Sequence, residues 1–131
     1  MTTDDQNINQ IIIASIFDPN CHIREHMADI IGDKKLYSAH SSLLKQLEIE
    51  ENYFTISSII EAIGKIGDFT DIKHIIDWTT RHISKIISEH QYFLLKHIYQ
   101  ALCRLDNTSD SIYSSEFFNQ YEKYMNDYII N

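Results

Sequence analysis

Ile56, Ile59, Ile60, Ile63 and Ile66 fall at i, i+3, i+4, i+7 and i+10. That spacing puts five branched side chains along one side of an α-helix, whereas in a strand it would scatter them over both faces. It is the clearest period in the chain. Ile72, Ile75, Ile76, Thr79, Ile83 and Ile86 continue it further on, and no stretch of comparable length alternates apolar and polar residues as a half-buried strand does. An all-α fold is therefore expected. One Pro and three Gly in 131 residues agree, because turn-rich β folds use both freely. The length suits one domain with one core.

The polar breaks predict about seven helices. The first spans 7–17 and ends at Asp18-Pro19-Asn20, where Pro disfavours helical geometry in the residue before it and Asn20 can cap the next helix. The second runs to Ile31 and closes at Gly32-Asp33, the glycine taking the left-handed conformation. A third covers 36–47, and a fourth carries the isoleucine stripe to Gly67-Asp68. The fifth spans 70–88 and the sixth 91–105, before the polar stretch Asp106-Asn107-Thr108-Ser109-Asp110. The last covers 114–130, with Ser114 or Ser115 as its cap and Phe117, Tyr121, Tyr124 and Tyr128 on one buried face.

The chain repeats itself weakly. Asn20 to Gly32 lies over Asn52 to Gly64 at an offset of 32, and Tyr53-Phe54 through Ile66 lies over Tyr92-Phe93 through Leu105 at an offset of 39. At Asp18-Pro19-Asn20, Ile23-Arg24-Glu25 and Asp29-Ile30-Ile31-Gly32, and again at Glu61-Ala62-Ile63-Gly64-Lys65-Ile66-Gly67-Asp68, the sequence resembles the short bacterial HEAT-like repeats of the phycobilisome-lyase type. The match is strongest over 52–77 and weaker over 18–47 and 91–106, where Cys103 replaces the glycine. The resemblance implies a short right-handed α-solenoid of about three helical hairpins in a single domain, 1–131, its ends covered by the helices at 7–17 and 114–130.

Nineteen acids against eleven bases give a net charge of −8 with His neutral. A phosphate-backbone binder needs a basic surface, so no nucleic acid is expected and a basic protein partner suits the balance better. The start of the chain is acidic where a signal peptide is basic, and its longest apolar run, Ile11 to Phe17, is far short of a membrane span. A cytoplasmic protein without membrane contact is expected. Cys21 and Cys103 lack a disulfide or zinc pattern and read as reduced and buried. His22 and His26 stand four apart but lack the intervening Glu of a His-Glu-x-x-His site, and no His-Glu pair occurs in the chain. With no nucleophile or phosphate-loop motif, the expectation is no catalytic group, no metal and no cofactor.

What remains is surface. With Ile72 as the centre of the buried face, Trp78 comes out at about 240° and Asp71 at about 260°, with His74 and Arg81 nearer the opposite side. Asp71, His74, Asp77, Trp78 and Arg81 therefore read as an outward patch with an aromatic anchor, the alternative being that Trp78 packs on a neighbouring helix. Ser38, Ser41, Ser42, Lys45 and Gln46 on the preceding helix, with Glu48, Glu50 and Glu51 after it, could extend this into one acid-rimmed face. The expected function is a non-enzymatic protein-binding module, monomeric or weakly dimeric, with the size and acidity of an immunity protein that blocks a basic nuclease toxin. A structural subunit of a larger assembly is the alternative, and a lyase-type or nucleic-acid-processing enzyme a more distant one.

Overall fold

The structure is a computed structural model, and it describes residues 3–106 and 112–129, with side chains from Asp4 to Met125. The polar residues after Asp106 and the side chain of Tyr128 lie outside it. The described residues form α1 (Thr3–Ala14), α2 (Cys21–Lys34), α3 (His40–Ile49), α4 (Tyr53–Ile66), α5 (Asp71–Ser88), α6 (Tyr92–Asp106) and α7 (Ile112–Ile129). Single 3-10 turns at Ser15–Phe17 and Tyr37–Ala39 precede α2 and α3, and no strand occurs among them. The chain is all-α.

α2, α4 and α6 lie side by side in that order, with α7 against α6, while α3 packs on α4 and α5 on α6. Their contacts fix direction. Cys21 meets Asn52 and Thr55 while Asp33 meets Lys65, so α2 and α4 run parallel. Phe54 meets Phe93 and Gly64 meets Ala101, so α4 and α6 do too. His40 meets Asp71 and Leu47 meets Trp78, making α3 and α5 a second parallel pair. With connections this short, α3 and α5 must carry the chain back between the members of the first layer.

The isoleucine stripes form the core between the layers. Ile31, Ile59, Ile60, Ile63, Ile75, Ile86 and Ile98 are fully buried, each contributing about 1.5–3 kcal/mol relative to exposure. Asn20 and Asn52 cap α2 and α4 through their side-chain oxygens, accepting from His22 N–H at 2.8 Å and Thr55 N–H at 3.1 Å. Each cap contributes about 1 kcal/mol.

Several predicted helix ends move. α2 does not close at Gly32; it continues to Lys34, and Lys35 takes the left-handed turn at φ 56°. Gly32 has another duty, because a Cβ there would stand 3.2 Å from Ala62 Cα. α1 begins before 7 and gives way to 3-10 geometry at Ser15. α3 begins at His40, and α7 already at Ile112, so Ser114 is no cap: it is buried in the first turn and its N–H donates to Asp106 Oδ2 at 2.6 Å. Cys21 and Cys103 are unpaired and half-buried rather than buried. Phe117, Tyr121 and Tyr124 do face the bundle, with Phe118 against Tyr99 and Tyr124 against Tyr92.

Candidate functional site

The end of α3, the loop at 50–52 and the middle of α5 enclose a cavity of about 440 Å³, lined among others by Glu48, Ile49, Glu51, Tyr53, His82 and Lys85. Helix periodicity places its α5 residues: Trp78, His82 and Lys85 lie one turn apart along one side. Trp78 closes the inner end. It is 1% exposed, its indole N–H donates to the Leu47 carbonyl at 3.2 Å, and the His82 ring lies flat on it with centroids 4.2 Å apart. The outward tryptophan is therefore corrected in favour of the stated alternative, that Trp78 packs on a neighbouring helix. α5 meets neighbours on two sides, α6 through its isoleucines and α3 through Trp78 and Asp71, whereas a wheel centred on Ile72 allows for one.

Asp71 is corrected for the same reason. It is 1% exposed at the start of α5, where both carboxylate oxygens lie 2.8 Å from His40 Nε2 and Oδ2 accepts from Asp68 N–H at 3.1 Å. Glu50 is corrected too: its side chain accepts from Arg24 at 2.7 and 2.8 Å, from Gln46 at 3.0 Å and from the N–H groups of Glu51 and Asn52. Burial pushes the Glu50 carboxyl up, but the Arg24, Gln46 and Asn52 hydrogen bonds and the Arg24 charge together hold it below the usual carboxylate range. Gln46, expected outward, is buried as that carboxylate's partner.

Ser41, Lys45, Glu48, Glu51, His74, Asp77 and Arg81 are exposed as expected. Several are already paired. Arg81 grips Glu48 with two hydrogen bonds of 2.9 and 3.0 Å, which lower the Glu48 pKa, and Lys73 pairs with Asp77 at 2.9 Å. Of the three acids on the rim, Glu48 and Glu50 are thus matched by arginines, and Glu51 has no ion-pair partner among the described residues. The sequence reading missed His82, Tyr53, Lys85, Ile49 and Arg24. The four-residue step from Trp78 to His82 was a usable signal, while Arg24 reaches Glu50 across 26 residues with no local pattern.

Family models, curated proteins and solved structures offer no match to this chain. The site is read from its own chemistry. The His82 Nδ1 sits 2.7 Å from the Trp78 carbonyl, an acceptor that can only receive, so Nδ1 carries a proton. The Tyr53 hydroxyl donates to Glu89, and burial together with that carboxylate pushes it up to about 12. It is a donor at neutral pH, not a base. Elsewhere, His22 and His26 are exposed, and no group of three His, Cys, Asp or Glu side chains converges on a metal-sized point among the described residues. No described helix is long and apolar enough to cross a membrane.

Proposed function

We propose that this chain is a non-enzymatic protein-binding module of the cytoplasm, a short HEAT-like right-handed solenoid whose α3–α5 side receives a basic protein. The observation that carries the reading is Ile49. It is 69% exposed at the end of α3, between Glu48 and Glu50, at the mouth of the cavity beside α5. A large apolar side chain held in water on a rigid helix end, beside the exposed Glu48 and Glu51, has the composition of an interface centre. The net charge of −8 would speed encounter with a cationic partner and disfavour acidic ones. The parallel stacking of α2, α4 and α6 supports the solenoid reading. An immunity protein that occludes a basic nuclease toxin is the specific form favoured by size and acidity.

Affinity capture on the purified chain, with identification of the retained protein, tests this. The expected result is a basic protein whose binding weakens steeply as salt rises. Capture of an acidic protein, or salt-indifferent binding, overturns it.

A second reading has its own observation. Phe69, Ile112 and Tyr113, exposed by 57, 51 and 46%, border a cavity of about 660 Å³ between the starts of α5 and α7. Such a border favours a subunit of a larger assembly. Light scattering on the purified chain separates the two: a monomer at micromolar concentration speaks against self-assembly through this edge.

A further inference from the structure

We infer that the cavity between α5 and α7 receives one arginine side chain of a basic partner. The inference rests on the protein-binding reading above and extends the binding side from α3 and α5 to α7.

α7 repeats α5. Trp78, His82 and Ile86 lie over Phe117, Tyr121 and Met125 at an offset of 39, the offset that relates α4 to α6. Burial agrees, since Trp78, Ile86, Phe117 and Met125 are all buried. Each inner aromatic also meets the ring one turn on, Trp78 on His82 with centroids 4.2 Å apart and Phe117 on Tyr121 with centroids 4.7 Å apart. The charges do not repeat. Asp77 pairs at 2.9 Å with Lys73, one turn before it, whereas the matching acid, Glu116, has Ile112 in that place. Arg81, which holds Glu48, gives way to Gln120, and Lys85 to Tyr124. Glu116 is exposed and has no ion-pair partner among the described residues.

A cavity of about 280 Å³ opens beside this acid, walled by Ile76 and Ile83 of α5 and by Tyr113, Phe117 and Tyr121 of α7. Among the described residues, no lysine, arginine or histidine lines it, and Glu116 is its one charged group. Burial pushes the Tyr121 hydroxyl up, so that ring adds no charge at neutral pH. The adjoining cavity at the start of α5 has one charged wall residue, Lys73, which Asp77 already neutralises. An occupant that fits is therefore hydrocarbon along its length and cationic at one end. Arginine meets both demands: its three methylenes lie against isoleucine, and its guanidinium stacks on aromatic rings, forks onto a carboxylate and sheds water more readily than an ammonium does.

The probe is N-acetyl-arginine methylamide, titrated into the full chain labelled with nitrogen-15 and followed through its amide chemical shifts. Saturable shifts centred on residues 76–83 and 113–121 are expected, with a dissociation constant on the order of millimolar for a fragment of this size. The lysine counterpart should bind more weakly, and the uncharged citrulline counterpart should give no shifts there. Glu116→Gln should weaken the probe about tenfold, as loss of one charge-assisted contact does. Gln120→Lys, which sets a cation one turn after Glu116, should weaken it too, by matching that acid from within the chain. Both positions are exposed, so an unchanged urea midpoint confirms that each variant folds. No saturable shifts in those two segments, a response to lysine or citrulline as strong as to arginine, or indifference to both variants overturns the inference.

The two levels come apart in a paired capture with wild type and Glu116→Gln. If both retain the same basic protein equally, the arginine site is refuted and the binding module stands. If the probe binds between α5 and α7 but no basic protein is retained, the arginine site stands and the module reading falls.

Discussion

Trp78 shows how one side chain changes meaning when its neighbours are known. In sequence it is an aromatic on the polar half of a helix; in the structure it is the bolt between α3 and α5. Trp78→Ala should cost about 3–5 kcal/mol in chemical denaturation, through lost burial and an unfilled space. A near-neutral effect would contradict the packing. Glu50 carries a pH signature. Its folded pKa is depressed, so its stabilisation is fully present above the unfolded value of about 4.3 and is lost as pH falls through the lower folded value. Glu50→Gln leaves Arg24 half-buried without its charge partner. It should lower stability at neutral pH by about 3 kcal/mol, and its stability should decline less steeply below about pH 4.3 than the wild type's. Denaturant midpoints taken across pH for both proteins check the two statements. The packed Trp78 was legible only as an alternative and the buried Glu50 not at all, because their partners Leu47 and Arg24 lie 31 and 26 residues away.

At the scale of helices, the sequence was far more informative. The stripes of α4 and α5 placed both elements within a residue or so, since one apolar face is all that a helix needs to announce itself. The ends were harder. Gly32 looked like a stop signal and is instead a thin place in α2 where α4 comes close; Gly64 does the same for α6. The two differ in what a methyl group would strike. At Gly64 it would stand 2.9 Å from the Ala101 backbone, whereas at Gly32 it would meet the flexible Lys65 side chain at 3.1 Å and the Ala62 backbone only at 3.2 Å. Ala in place of Gly inside a helix gains about 1 kcal/mol, while overpacking costs about 1–3 kcal/mol. Gly64→Ala should therefore lower the thermal midpoint, and Gly32→Ala should lower it less. The reverse order would refute the assigned contacts.

For the molecule as a whole, one contact recurs where the sequence repeats weakly. Gly32 faces Ala62 across α2–α4, and Gly64 faces Ala101 across α4–α6; these are the pairs that the offsets of 32 and 39 superimpose. Cys103 stands where the next glycine would, and α7 comes onto α6 with bulky aromatics instead. The proposed binding face was less legible than the weak repeat, because a helical wheel sees one neighbour and α5 has two. If a basic partner does dock there, raising salt should slow its association far more than it hastens its release, as stopped-flow mixing would detect.

The matched Gly–Ala seats have a consequence for growth. Ala62 occupies the same place in α4 that Ala101 occupies in α6, so a second copy of residues 53–91 placed directly after the first would find a groove already cut to its width. On the solenoid reading proposed above, further such units would extend the molecule in the same way.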